Sequence, residues 1–264
     1  MIKALFTCAT GMKAQELVID NTANNLANMN TTGFKRSQME FQDLLYLTTR
    51  VPGAEIAQGL ESPTGLQIGS GVRPSSNTKI FSQGTLEVTN NPLDVAIEGD
   101  GFLQVTLPSG EIRYTRDGAL RLNSQLNLVT TEGYSLDPQI TLPQDWQSIS
   151  IGSDGTVSVT TASAPNAPST VGQLTLVRFA NHAGLESKGN NQYSQSKASG
   201  DPITGPPGQN GMGTLQQGHL ERANVEVVTE LVNLILAQRA YEINSRAIRS
   251  TDEMLSLTNS IIAR

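Results

Sequence analysis

A row of apolar residues at seven-residue spacing, Val227, Leu234, Tyr241, Ile248, Leu255 and Ile262, runs unbroken through the C-terminal end of the chain. Seven residues are two helical turns, so the row lies along one side of a long helix. Its companion row, Leu231, Gln238, Ser245, Asp252 and Asn259, is mostly polar. The apolar seam is therefore narrow, and it suits lateral packing better than burial in a globular core. A two-stranded coiled coil is the other reading of the same row, although a dimer seam needs apolar residues where this companion row is polar. The N-terminus uses the same spacing over a shorter length. Leu5, Met12, Ile19 and Leu26 form one row, and Ile2, Ala9 and Ala23 form a companion that Glu16 interrupts. The run from Asn28 to Gly33 (Asn, Met, Asn, Thr, Thr, Gly) favours turns, and it predicts a helix end near residues 27–29.

These stripes bear on when the helices form. Ordering the backbone costs roughly 1–2 kcal/mol per residue, whereas an apolar side chain returns about 1.5–3 kcal/mol when fully buried. One narrow stripe per helix does not meet that cost alone. The expectation is that both termini are largely disordered in the monomer and become helical when packed against copies of the chain.

The sequence between the ends is of another kind. Only 37% of residues are hydrophobic and 5% aromatic, with 24 Gly and 12 Pro, which suits strands and many tight turns. Ile149 and Ile151 alternate into one face with Val157 and Val159 across a turn at Asp154-Gly155, a hairpin. A turn at Pro108-Ser109-Gly110 joins residues 103–107 to Ile112, and another at Asp117-Gly118 joins Tyr114 to Leu120 and Leu122. Residues 160–170 and 199–213 are small, polar and Pro- or Gly-bearing, and are expected to be surface loops. Residues 51–74 carry Pro52, Gly53, Gly59, Pro63, Gly65, Gly69 and Gly71, and are expected to form an extended arm or hairpin outside the main domain. Ile56, Leu60, Leu66 and Ile68 are its candidate apolar anchors.

Several functions are excluded or disfavoured. A formal charge of −6 and a pI near 5.0 argue against phosphate-backbone binding, so nucleic acid is not expected as a partner. The N-terminal apolar stretch is too short and polar for a secretory signal, and no run is long enough to insert in a membrane. Cys8 is the single cysteine and reads as a small packing residue. His182 and His219 stand in different loop-like contexts, so no metal set and no cofactor is expected. No nucleophile elbow, Walker loop or zinc-protease motif is present. Gly99-Asp100-Gly101 reads as a turn between strands. Glu98, Asp100, Asp117 and Asp154 could supply a carboxylate pair for cleaving a cell-wall glycan. All four stand beside Gly, where turns recruit such residues for backbone reasons.

Residues 23–28 (Ala23, Asn24, Asn25, Leu26, Ala27, Asn28), followed by Thr32, Gly33, Phe34, Lys35 and Arg36, resemble the signature of the flagellar rod and hook protein family. Residues 94–103 and 114–118 look like that family's central strands, and residues 230–244 and 251–255 like its C-terminal helix. Within the family, residues 65–74 after an inserted arm are similar to distal-rod members, with the proximal rod as the alternative. The resemblance implies an α+β fold in which long terminal helices (1–30 and 224–264) pair as a coiled-coil-like inner domain. A connecting segment with the arm (31–75) and a central antiparallel β-rich outer domain (76–223) complete it. It implies a non-enzymatic subunit of a hollow helical rod in the periplasm that carries torque from motor to hook. Export without a cleaved signal peptide through the flagellar apparatus goes with that reading, and copies of the chain, proximal rod and hook subunits and surrounding ring proteins would be its partners. The expected assembly residues are the two apolar rows with Asn24, Asn25 and Asn28, whose amides would cap or bridge a neighbouring subunit's backbone. Arg239, Glu242, Arg246 and Arg249 flank the C-terminal row and could set register against Glu16 or Asp20 of another copy.

Overall fold

The computed structural model describes residues 2–53, 55–57, 60–61, 63–162 and 164–262, without the side chains of 55–57, 60, 61, 165, 166, 259 and 262. The chain divides into two compact units, each assembled from separated segments. One, here the helical unit, comprises Met1–Leu26, Ser37–Thr78 and Glu226–Arg264, and the other, the β unit, comprises Ala27–Arg36 and Lys79–Val225.

Helix α1 (Ile2–Ala27) ends where the Asn- and Gly-bearing run predicts, with Gly33 beyond it at φ 67°. Helix α2 (Val227–Ile262) fills the C-terminal end, and the two helices pack together. The inserted segment of the same unit is a two-stranded ribbon. Strand β1 (Ser37–Asp43) is followed by β2 (Leu47–Arg50), β3 (Glu55–Ala57), β4 (Leu60–Glu61), β5 (Leu66–Ile68) and β6 (Val72–Lys79). They pair antiparallel as β1 with β6, β2 with β5 and β3 with β4, so the described residues of the 51–74 segment lie in a hairpin.

In the β unit, β7 (Leu86–Val88) pairs with strand His219–Glu221, and β8 (Val95–Glu98) with Thr214–Gln217. Strand β9 (Phe102–Thr106) is the centre of a nine-stranded sheet. One edge of it pairs with β10 (Ile112–Thr115) through the Pro108–Gly110 turn. Its other edge is shared, Phe102 and Leu103 facing Val177 and Leu176 while Gln104–Thr106 face Asp137–Ser135. The pleat sends alternate residues to two cores. Leu103 and Val105 join Val95, Ile97, Leu120, Leu128 and the inner face of the three-stranded sheet 146–151, 156–161 and 164–173. Phe102 turns the other way, into Tyr114, Val177, Phe179 and Tyr193. There Tyr114 meets Phe179 edge-to-face at 4.8 Å and 82°.

The Asp154-Gly155 hairpin has the predicted register, Ile149 opposite Val159 and Ile151 opposite Val157. Three other expectations need correction. Residues 164–173 are a strand and not a loop, paired at the edge of the three-stranded sheet. The two prolines that suggested a loop lie where Val159 pairs Ser169 and Thr161 pairs Ala164, so residues 165–168 bulge out and their missing N–H groups are not needed. The 199–213 segment likewise contains a short strand, Ile203–Gly205, paired with Leu176–Arg178. Finally, Asp117-Gly118 does not close a hairpin. Tyr114 pairs with Tyr193 and Gln104, whereas Leu122 pairs with Leu128.

Gly118 instead docks this corner on β8. Its carbonyl accepts the Val95 N–H at 3.0 Å, and a Cβ on it would fall 1.6 Å from the Val95 oxygen. Gly118→Ala must therefore push β8 away from the main core. Urea unfolding followed by the fluorescence of Trp146 is expected to show a loss of about 3 kcal/mol. A variant within about 0.5 kcal/mol of the parent would contradict this account of the corner.

Candidate assembly interface

The seam between α1 and α2 is built from small and polar side chains. On α1 the buried residues are Ala14, Thr22 and Asn25. On α2 Glu230, Ala237 and Thr251 are buried and Asn244 is half-buried, again at seven-residue spacing. A Cβ on Gly11 would stand 3.1 Å from Asn244 Nδ2, which measures how close the helices come at that point. The predicted apolar rows flank this seam. Leu5, Met12, Ile19 and Leu26 on α1 and Leu234, Ile248 and Leu255 on α2 are half-buried, whereas Val227 and Tyr241 are exposed. The side chain of Ile262 lies outside the described residues.

The companion rows are corrected. On α2 the partner of the apolar row is Glu230–Ala237–Asn244–Thr251, one residue before the expected Leu231–Gln238–Ser245–Asp252. On α1 Ile2, Ala9 and Ala23 are exposed, and the seam lies on another face. Small residues win because interaxial distance is set by the side chains at the contact, and Gly11, Ala14 and Ala237 permit the closest approach. The consequence is an inverted amphipathicity. Phe6 is 70% exposed, and on α2 Leu236, Ile243 and Leu257, which share one seven-residue row, are 62%, 61% and 64% exposed. Arg239 and Arg246 both reach Glu242 on the solvent side, at 3.2 and 3.9 Å.

The signature asparagines divide. Asn25 is 1% exposed, and its amide pairs both backbone groups of Ser37, accepting the N–H and donating to the carbonyl, each at 2.9 Å. Asn21 Nδ2 adds a bond of 2.8 Å to the same carbonyl. Asn25 is thus corrected from a connector between subunits to one inside the subunit, where it mimics a strand edge at the start of β1. Asn24 is exposed, and Asn28 accepts the Thr31 hydroxyl at 3.2 Å.

On the arm, Leu66 and Ile68 are exposed on β5, paired with Arg50 and Leu47. The side chains of Ile56 and Leu60 lie outside the described residues. The ribbon touches α1 at Thr10, whose hydroxyl accepts the Val72 N–H at 3.3 Å, and at Lys3, which donates to the Ile68 carbonyl at 3.2 Å.

The second half of the signature serves the β unit. Lys35 Nζ meets Glu221 Oε1 at 2.6 Å, and Arg116 Nε meets Glu221 Oε2 at 2.9 Å, all three side chains being 2% exposed or less. Other donors of the two cations reach backbone carbonyls. Lys35 donates to Ser82, and Arg116 donates to Ile97, Gly99 and Gly101. The Gly99-Asp100-Gly101 turn is therefore a carbonyl cradle for Arg116. Burial, with repulsion from Arg116, outweighs Glu221 and lowers the Lys35 pKa to about 8. Arg116 stands within the 114–118 stretch that resembles the family's central strands, but nothing in the sequence marks it or Glu221 as buried or reveals which charges meet.

Three of the four acidic residues considered for chemistry have local partners. Asp154 Oδ1 accepts the Thr156 N–H at 3.0 Å, Asp117 accepts the Thr32 hydroxyl and the Ala119 N–H, and Glu98 accepts from Gln216. Among the described residues no group of His, Cys, Asp and Glu is placed to hold a metal ion, and no helix is long and apolar enough to cross a membrane.

Comparison with known proteins uses the same parts of the chain. Residues 5–35 match the family described as flagella basal body rod protein. Residues 96–159 match the flagellar hook protein FlgE/F/G D1 domain, and residues 216–261 the flagellar basal body rod FlgEFG protein C-terminal domain. The flagellar basal-body rod protein FlgG of Buchnera aphidicola (subsp. Schizaphis graminum) is 49% identical over 97% of this chain and 98% of its own length. Those of Borreliella burgdorferi and Caulobacter vibrioides are each 45% identical, over 99% and 98% of this chain and 99% of their own. This chain belongs to the flagellar basal-body rod protein family. In this member, the family's N-terminal signature is split between two tasks: Asn25 organises the helical unit, and Lys35 the β unit. The α+β architecture, with paired terminal helices and a central antiparallel β-rich region, is the one the resemblance implies.

The Lys35 site predicts a pH dependence. Its folded pKa, about 8, lies below the 10.5 of an ordinary lysine, so between these values the unfolded chain holds more proton and stability from this group rises with pH. The penalty of the buried ammonium is full below about 8 and relieved above it. Thermal melts are expected to show the parent gaining on Lys35→Met between pH 8 and pH 10. Parallel melting curves across that window would refute the assignment.

Proposed function

We propose that the chain is the structural subunit of the distal rod of the flagellar basal body, polymerising with copies of itself into a hollow helical tube. The terminal helices form the inside of the tube and the β unit its outside, and the tube carries torque from motor to hook. The observation behind this reading is the inverted helix pair. Small and polar residues face the partner helix while Phe6, Leu236, Ile243 and Leu257 face outward, an apolar surface that a second copy would bury. Relatives named flagellar basal-body rod protein FlgG, alike over nearly the whole chain, support the distal rod over the proximal alternative. Its partners at the two ends are proximal rod and hook subunits, its surroundings are ring proteins in the periplasm, and its route is the flagellar export apparatus without a cleaved signal peptide. No catalysis is assigned to it, and two of the candidate carboxylates, Asp117 and Asp154, are engaged in local turns.

Coupled ordering takes a modified form. The helices find a first partner in each other, and copies bury the rest, so helical circular dichroism should increase on polymerisation. Two substitutions separate the faces. Ile243→Asp places a charge on the outward row and is expected to abolish polymerisation with the subunit's melt unchanged, because an unpaired buried charge costs several kcal/mol. Leu234→Asp, beside the intrachain seam, is expected to weaken both. Rods formed by the Ile243 variant under the parent's conditions would show that this row is not the packing face.

The arm is read as a brace against a neighbouring copy, with Leu66 and Ile68 as described anchors. An isolated hairpin is marginal in water and is held by what covers it. Deleting residues 55–64 is expected to leave polymerisation intact and to lower the bending stiffness of the filament seen by electron microscopy. Equal stiffness and helical order would retire the brace.

A further inference from the structure

Four polar residues of α1, Lys3, Thr10, Asn21 and Asn25, bond to the ribbon that belongs to the same compact unit. At roughly 100° per helical residue they fall within about 60° of one another, so they make a stripe of their own along the helix. Strand β1 is tied to this stripe at both ends. Ser37, its first residue, is held by Asn25 and Asn21. Leu44, just past its last, donates to the Gly71 carbonyl at 2.9 Å, and the following N–H, that of Val72, donates to the Thr10 hydroxyl at 3.3 Å. The two spans agree in length. From residue 25 back to residue 10 the helix covers roughly 22 Å at about 1.5 Å per residue. From residue 37 to residue 44 the strand covers roughly 24 Å at about 3.4 Å per residue. Beyond Thr10 the match continues, with Lys3 donating to the Ile68 carbonyl.

We infer that Thr10 and Gly71 are positioning residues that lock the ribbon against α1 in a single register, and so fix the point on the helix from which the arm departs. The Thr10 hydroxyl donates to the Thr7 carbonyl at 2.8 Å, which leaves its oxygen to accept from the ribbon. Backbone N–H groups alternate in direction along a strand, so with the Gly71 carbonyl turned to Leu44 the Val72 N–H turns out of the ladder and towards Thr10. Gly71 has φ 112°, and a Cβ on it would run into the Thr10 hydroxyl. Only glycine allows so close an approach there. Sliding the ribbon by one residue, about 3.4 Å, takes the Val72 N–H from its acceptor and brings a side chain to the place of Gly71. The lock is a property of the single subunit, and only its bearing on the arm rests on the brace reading.

Hydrogen exchange of the full-length chain, resolved to single amides and run below its polymerising concentration, tests the lock. In the parent the Val72 amide is expected to exchange at least about tenfold more slowly than an exposed amide. Thr10→Val keeps the shape of the side chain and removes the acceptor. It should bring Val72 to the exposed rate while the Leu44 amide, bonded to Gly71, stays slow. Thr10→Ser keeps the hydroxyl and should hold Val72 near the parent's rate. A Val72 amide as slow in Thr10→Val as in the parent overturns the inference. If Thr10→Val does not fold, Gly71→Ala decides. That variant leaves the hydroxyl in place but pushes the ribbon off it, so Val72 should again exchange freely, and an unchanged rate means that no lock is formed. Filaments that lose no stiffness when residues 55–64 are deleted would instead count against the brace alone.

Discussion

The carboxylate of Glu221 is the interaction on which the β unit depends. It lies between Lys35 and Arg116 with all three side chains out of solvent, and it also accepts the Gly84 N–H at 2.8 Å. Its own backbone carbonyl accepts the Gly33 N–H at 2.8 Å. One residue thus joins the segment after α1, the start of the strands and the Gly99–Gly101 turn. Two cations against one carboxylate leave an excess positive charge, which is why the carbonyls of Ser82, Ile97, Gly99 and Gly101 are turned inward. Such a cluster adds little net stability over an apolar replacement of the same shape, because each ion loses its hydration. Removing one member is another matter, since it leaves a buried charge unpaired. The cluster therefore selects this arrangement of connections over its neighbours more than it strengthens the fold.

The helical unit solves a different problem. A helix in a globular protein normally turns its large apolar side chains inward. Here Gly11, Ala14, Ala237 and Thr251 occupy the inside, and the exposed apolar rows face away from the partner helix. The large apolar side chains that flank this seam are only half-buried, so hydrophobic burial holds the pair less firmly than a fully apolar seam would. The polar contacts fix register instead, as Asn25 and Glu230 do at 3.5 Å. A weak pair with a specified register and an apolar exterior is suited to a helical polymer: the subunit does not satisfy itself, and the surface that remains is the one that drives association.

Much of this was legible in the sequence because periodicity is a local property. The spacing of Leu234, Ile248 and Leu255 places them on one face of α2, where all three are half-buried, and Asp154-Gly155 sets its hairpin register without reference to anything distant. The companion rows were displaced because an apolar count weighs Leu231 above Glu230, whereas close packing favours whichever side carries Ala237. The strand at 164–173 was hidden by prolines whose bulge can be seen only when the partner strand is known. Lys35, Arg116 and Glu221 were least legible. A charge in a sequence reads as solvent-facing, and only the fold brings together three charges spaced over 186 residues. Asn25 looked like a connector for a related reason: an amide announces a hydrogen bond but not its recipient.

Chain order adds a constraint on how the unit is reached. Asn25 and Glu230 are 205 residues apart. Closing a loop of that length costs roughly 5 kcal/mol before any contact repays it, and the thin helix seam offers little to repay it with. The β unit bonds Gly33 to Glu221 and Arg36 to Asn224, and so gathers the ends from which α1 and α2 depart. Once those bonds exist, the effective separation of the two helices falls to the few residues between each helix and those bonds, and the entropic cost falls with it. Prior formation of the β unit therefore favours pairing of the helices.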